Sequence, residues 1–282
     1  MVVFRYVFTM GIITNFIVSS AIIVVPAFTV LGLSGDGWRE TIGFHRIKWS
    51  TAAMIVLFTF LTMPLTTLIN AFSMFFVENT VAEMSGQVLE IPFLVSFFFV
   101  GISAPVCEEI VFRGIVYKGY RRSGTVVQAA VFSALLFALG HMNFNQAAYA
   151  FVIGVMLVLL VEVTGSIWAS IIYHVIFNGY SVCLMYLADH LMQEALVSEP
   201  LQGQAYMDSM IYSIGVSVVL AAGATAIAVC VLIGIAKNEN RLPRLRQIWT
   251  LRRDKKGKMI TIPFVIATLL SIAFMVADAV LL

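Results

Sequence analysis

The stretch Ser103-Ala-Pro-Val-Cys-Glu-Glu-Ile-Val-Phe-Arg113 sets three ionisable side chains into an otherwise apolar run. On a helix, Glu109 and Arg113 stand four residues apart with the acid N-terminal to the base, the better orientation for an ion pair. Glu108 lies one position round the helix and is left without that partner. Adjacent carboxylates inside a hydrophobic segment are costly, and an ionisable residue within the membrane is read first as functional. A buried structural pair explains Glu109 and Arg113. It leaves Glu108 unexplained.

Working outward, the 282 residues are 61% hydrophobic and only 11% charged, with a mean hydropathy of +0.98. Soluble domains average about 25% charged residues, so that class is excluded. Apolar runs of 18 or more residues mark transmembrane helices. Eight are expected, at about 6–31, 51–76, 91–117, 126–142, 145–162, 166–188, 210–236 and 260–282. The fifth is short, and Gln128 weakens the fourth. Pro64 and Pro105 fall inside spans and are expected to kink or interrupt them. The first run is too long for a signal-peptide core and reads as a membrane helix. Cys107, Cys183 and Cys230 lie in apolar runs without C-x-x-C spacing, as small core residues rather than disulfide or zinc ligands. The fold class is therefore all-α: a polytopic membrane helix bundle forming one domain over 1–282, integral to the lipid bilayer.

Lysine and arginine orient the bundle. The loop after the first span carries Arg39, Arg46 and Lys48; that after the third carries Lys118, Arg121 and Arg122; the 237–258 loop carries nine. The loops after the second, fourth and sixth spans have none. The positive-inside rule places the basic loops in the cytoplasm and both termini outside, with only Arg5 against it. The 237–258 segment adjoins the membrane, so it reads as a topology determinant and an anionic-lipid contact. A basic run alone is only an electrostatic footprint, and no nucleic-acid partner is expected.

Depth then gathers a site. Glu108 lies ten residues before Lys118, ~15 Å inside the cytoplasmic end, and His174 lies eight residues after Ser166, ~12 Å from the same side. His141 lies ~20 Å in if its span begins near Gln128, a difference that tilt absorbs. Asn178 follows His174 at i+4 and shares its face, and Phe137 precedes His141 at i−4. A lone membrane histidine is usually a hydrogen-bonded core residue. Two histidines, a spare glutamate and an asparagine at one depth offer the general base and polar donors that hydrolysis requires.

Glu-Glu-x-x-x-Arg (Glu108, Glu109, Arg113), Phe-x-x-x-His (Phe137, His141) and His-x-x-x-Asn (His174, Asn178) occur in that order on successive spans. They resemble the three motifs of the CPBP family, the CAAX proteases and bacteriocin-processing enzymes also called the Abi family. Ala104-Pro105, Phe112-Arg113-Gly114 and Thr164-Gly165-Ser166-Ile167-Trp168 agree as well. The likeness covers about 103–180 and departs from the pattern at no motif position. It implies an intramembrane endopeptidase with a four-helix catalytic core over 91–188, flanked by the spans 6–31, 51–76, 210–236 and 260–282. The implied substrate is a membrane-associated protein or peptide, of CAAX, leader or signalling type. In the implied roles Glu108 and His141 activate water, His174 and Asn178 hold the oxyanion, and Glu109 and Arg113 shape the site.

Other readings stand beside this one. Glu108, His141 and His174 are also the ligand types of a zinc site with an open fourth position, so a metallopeptidase rivals the metal-independent mechanism. Against it, the three lie on three separate helices, and no His-Glu-x-x-His occurs. Gly32-Leu33-Ser34-Gly35 matches the Gly-x-Ser-Gly of rhomboid serine peptidases, but it ends a span, and His45, its nearest histidine, sits in a charged segment. A non-catalytic immunity or binding protein would keep the fold without the reaction. An ion-coupled transporter would favour inverted repeats and paired broken helices, which the sequence does not display.

Overall fold

The computed structural model describes residues 11–35, 37–77, 80–194, 203–248 and 258–281, and among these the chain is helical throughout. We label the helices α1 (Ile12–Ser34), α2 (Trp38–Ile42), α3 (Trp49–Ser73), α4 (Thr80–Leu89) and α5 (Phe93–Ser123). There follow α6 (Val126–Gly140), α7 (Phe144–Thr164), α8 (Ile167–Glu194), α9 (Gly203–Asn238), α10 (Leu242–Gln247) and α11 (Ile262–Leu281). Six, namely α1, α3, α5, α7, α8 and α9, are long and apolar enough to cross a membrane, while α6 and α11 are shorter apolar helices. These eight match the eight expected spans, and the bundle is polytopic and all-α. The first five residues expected in span one, 6–10, lie outside the described residues.

The core sits where α3, α7, α8 and α9 meet: Ile55, Phe58, Leu157, Leu160, Tyr173 and Ile235 are buried together there. Tyr173 satisfies its hydroxyl on Thr62, 2.8 Å away, as a buried phenol requires. The exterior, by contrast, shows Leu33, Leu94, Phe98, Val219 and Leu270 to the surroundings. An apolar outside at this density is the surface of a bilayer protein.

Several details differ from the sequence expectation. Helix α5 does not stop at 117 but carries Lys118, Arg121 and Arg122 in its last turns, where cations meet the negative end of the helix and Arg121 donates to the carbonyl of Gly124 at 3.1 Å. Gln128 strengthens α6 instead of weakening it. Its backbone N–H donates to Thr125 Oγ1 while its own Oε1 accepts from the Thr125 N–H, a capping box that satisfies two orphan donors. The connection between the second and third expected spans contains a helix of its own, α4. Neither of these prolines ends its helix: α3 runs unbroken through Pro64, and α5 continues through Pro105, with π-helical turns before it at Phe97–Ser103 and beyond it at Ile110–Val116.

Side-chain bonds group the helix ends. At one end Ile167 N–H donates to Gly43 O at 3.1 Å, Ser166 Oγ donates to His45 O, and Tyr117 donates to Glu162 at 2.6 Å. At the opposite end Asn145 Nδ2 donates to Ser73 Oγ at 2.6 Å and Tyr186 to Ile91 O at 2.6 Å. The loops rich in lysine and arginine thus share one end, as alternation of the spans demands.

Candidate active site

Helix α5 passes through the bundle between α1, α6 and α8, and its midpoint carries both acids. Glu109 and Arg113 are fully buried, with Arg113 Nη1 donating to Glu109 Oε1 at 2.7 Å. The i,i+4 pair read from the sequence is present. The same oxygen also accepts from His174 Nδ1 at 2.8 Å. One carboxylate therefore holds a guanidinium from its own helix and an imidazole from α8.

Because a carboxylate on Nδ1 takes that hydrogen, the other nitrogen of His174 points onward, and its Nε2 stands 3.7 Å from Glu108 Oε2. That gap is too long for a direct hydrogen bond. Glu108 is 23% exposed, the open member of the adjacent acids.

His141 is the C-cap of α6. Helix α6 has 15 residues and so spans only ~22 Å, short of the ~30 Å hydrocarbon core. Its end therefore delivers a histidine below the surface. His141 Nδ1 lies 2.8 Å from Phe137 O, and since a carbonyl only accepts, Nδ1 bears the hydrogen and Nε2 keeps its lone pair. The turn to α7 passes through Met142 at φ 53°, a left-handed conformation uncommon for a residue with a side chain. Glu108 and His174 both lie within electrostatic reach of the His141 ring.

Phe137 binds the set together. Its ring meets His141 edge-on at 4.8 Å and His174 edge-on at 5.7 Å, and Arg113 Cζ lies 4.2 Å from its centroid. The cation–π contact shelters a guanidinium whose Nε and Nη2 have no hydrogen-bond partner among the described residues, a contact worth about 2 kcal/mol when desolvated. Gly154 lets α7 close on α6 at this level, since a Cβ there would sit 2.8 Å from that of Ala134.

Asn178 stands apart from the acids. Its Nδ2 donates to the carbonyl of Val100 at 3.2 Å, on the first π-helical turn of α5. Ser133 does the same for the second, donating to Phe112 O at 3.1 Å. Sequence reasoning missed Ser133 and the central place of Phe137. Only the i−4 spacing of Phe137 to His141 hinted at the latter. Of the expected residues, the fold bonds Glu109 to Arg113 and His174, sets Glu108 3.7 Å from His174, and brings His141 to them across Phe137.

No group of three or more His, Cys, Asp and Glu side chains among the described residues is gathered to hold a metal ion. The candidate ligands Glu108, His141 and His174 do not form such a group, and no step below is routed through zinc. Ser34 donates to Leu31 O at 2.8 Å on its own helix, and Gly35 caps that helix at φ 72°. Gly-x-Ser-Gly is here a helix terminus. A recess of about 560 Å³ beside it, lined by Phe28, Leu31, Gly32, Gly35 and Trp38, contains no ionisable group.

Two carboxylates, two imidazoles and an arginine are thus gathered within a polytopic helical bundle. Comparison with known proteins is more specific. Residues 90–180 match the family described as type II CAAX prenyl endopeptidase Rce1-like, the same stretch that carries the three motifs. The membrane-embedded CAAX protease MroQ of Staphylococcus aureus (strain USA300) is 32% identical over 105 residues, which are 35% of this chain and 42% of that protein. The chain thus matches less than half the length of that relative. No solved structure matches.

Proposed function

We propose that the protein is an intramembrane endopeptidase acting on membrane-associated protein or peptide substrates of CAAX, leader or signalling type. One observation carries the reading. Glu109 Oε1 is taken up by Arg113 and His174, while Glu108 stays 23% exposed beside a His174 nitrogen. In this scheme Glu108, with His141 Nε2, accepts a proton as water attacks the scissile carbonyl carbon. The negative charge passes to the carbonyl oxygen, which faces His174 and the second Nδ2 hydrogen of Asn178. The proton then moves to the departing nitrogen as the C–N bond breaks. Glu109 and Arg113 position His174. The basic end of the bundle faces the cytoplasm and the termini face outward.

A zinc-dependent variant has one observation in its favour. Both imidazoles have Nδ1 committed to an oxygen and Nε2 left over, the outer-shell pattern of metal-bound histidines. The test of the main reading compares the membrane peptidome of cells carrying wild-type protein and Glu108→Gln. Peptide termini present with the first and missing with the second support it. Identical peptidomes from equally abundant proteins, with any protective phenotype retained, would favour a binding role.

A further inference from the structure

The proposed reaction assigns Asn178 to the oxyanion, yet the fold gives its amide an earlier task. In a π-helix a carbonyl pairs with the N–H five residues on, and the π-helical turn Phe97–Ser103 ends with Ala104 N–H donating to Phe99 O in that register. The next pair in that register is Val100 O with the N–H of residue 105. Residue 105 is proline and has none. A partly buried carbonyl without a donor is costly, and Asn178 Nδ2 is the donor that reaches it, at 3.2 Å.

The bond crosses from α8 to α5 where the two helices come into close contact. A Cβ on Gly101 would lie 3.3 Å from the Cα of Gly179, and a Cβ on Gly179 would lie 3.2 Å from the Phe97 ring. Neighbours in sequence of Val100 and Asn178 thus form the contact itself. His174 lies four residues before Asn178 on α8, and Glu108 lies three residues after Pro105 on α5. His174 is thus about one helical turn from the donor of this bond, and Glu108 about two turns from its acceptor Val100.

We infer that Pro105 and Asn178 act as one device. The proline strips Val100 of its intrahelical donor, the asparagine amide supplies one from the neighbouring helix, and the resulting bond fixes α8 against α5 so that His174 meets Glu108. Asn178 is then a positioning residue, whatever its second amide hydrogen does during turnover. This rests on the endopeptidase reading for its catalytic consequence, but the bond exists without substrate.

The test is a double-substitution cycle on purified full-length protein in lipid nanodiscs, with Asn178→Ala and Pro105→Ala singly and together. The first readout is the apparent unfolding midpoint with no substrate present. Asn178→Ala should lower it by about 2–4 °C, the shift expected for one net buried hydrogen bond. In the Pro105→Ala background the new N–H serves the α5 carbonyls, and the same substitution should leave the midpoint unchanged. The second readout is cleavage of an internally quenched farnesylated CAAX peptide well below the midpoint. Asn178→Ala should lower kcat with KM unchanged, and adding Pro105→Ala should recover roughly tenfold or more, the effect of restoring the alignment of reacting groups.

A wild-type midpoint for Asn178→Ala overturns the inference, as do equal midpoint losses in both backgrounds or a rescued midpoint without rescued kcat. If wild-type protein leaves the peptide uncut, the substrate assignment has failed and the midpoints still decide. If Pro105→Ala does not fold, Asn178→Asp replaces it, because aspartate donates to Val100 O only when protonated. Its midpoint relative to wild type should climb as pH falls, and a pH-independent difference refutes the link.

Discussion

Glu109→Gln is the substitution that most directly interrogates the arrangement of charge. The carboxylate is fully buried and one oxygen serves two donors, Arg113 at 2.7 Å and His174 at 2.8 Å. Glutamine keeps the shape and an acceptor oxygen but removes the charge, so a fully buried guanidinium is left without its counter-ion. Breaking a buried pair this way costs about 3–5 kcal/mol, against a total stability of about 5–15 kcal/mol. At about 2–4 °C per kcal/mol the midpoint should fall by roughly 6–20 °C. Folding yield should drop with it.

The rescue follows from the same geometry. Arg113→Met removes the stranded charge, and the amide oxygen introduced by Glu109→Gln still accepts from His174 Nδ1. The double variant Glu109→Gln with Arg113→Met should therefore return to within about 2 kcal/mol of wild type. The assay is the unfolding midpoint of purified protein in one detergent, single and double variants side by side. A single variant as stable as wild type would refute the argument. So would a double variant no more stable than the single one.

Glu108→Gln should behave oppositely, shifting stability by less than about 1 kcal/mol, since its contact with His174 is 3.7 Å and partly exposed. Cleavage should meanwhile fall by about 10²–10⁴ with the loss of a general base; a destabilised but active Glu108→Gln would reverse the two roles. Cysteine in place of exposed Arg246, on the basic end of the bundle, should resist an impermeant thiol reagent in intact cells and react after permeabilisation; labelling from outside would invert the topology. Position 250, in the same loop, lies outside the described residues. Exhaustive chelation should leave cleavage intact under the metal-independent scheme, and activity lost to chelator and restored by stoichiometric zinc would establish the rival.

Much of this is legible in the sequence because membrane segments declare themselves by composition and ion pairs at i,i+4 by spacing. Eight helices, the Glu109–Arg113 pair and the shared depth of Glu108, His141 and His174 follow from those two signals. The second partner of Glu109 does not, because His174 lies 65 residues away on another helix, and a depth match fixes height without fixing azimuth. Pro105 reads as a break, since the rule for proline concerns an α-helix, and the π-turn that absorbs it depends on a donor from α8. The Thr125-x-x-Gln128 capping box stands in the sequence, yet a polar residue in an apolar span draws attention to its polarity before its position at the start.

The basic loop shows how a compositional reading divides once neighbours are known. Arg244 Nε donates to Glu162 Oε2 at 2.7 Å, and Arg241 Nε donates to the Glu162 carbonyl at 3.2 Å, near the negative end of α7. Glu162 also accepts from Tyr117, which follows Arg113 by four residues on the helix that carries both acids. Arg241 packs over Gly165, where any Cβ would lie 2.6 Å from its Nη1. These two arginines are therefore committed to joining α10, α7 and α5. Lys237, Arg246 and Lys258 are exposed. A glutamate at the end of an apolar span thus turns part of a basic loop into a brace one helical turn from Arg113, so the segment also steadies the helix on which Glu108 and Glu109 sit.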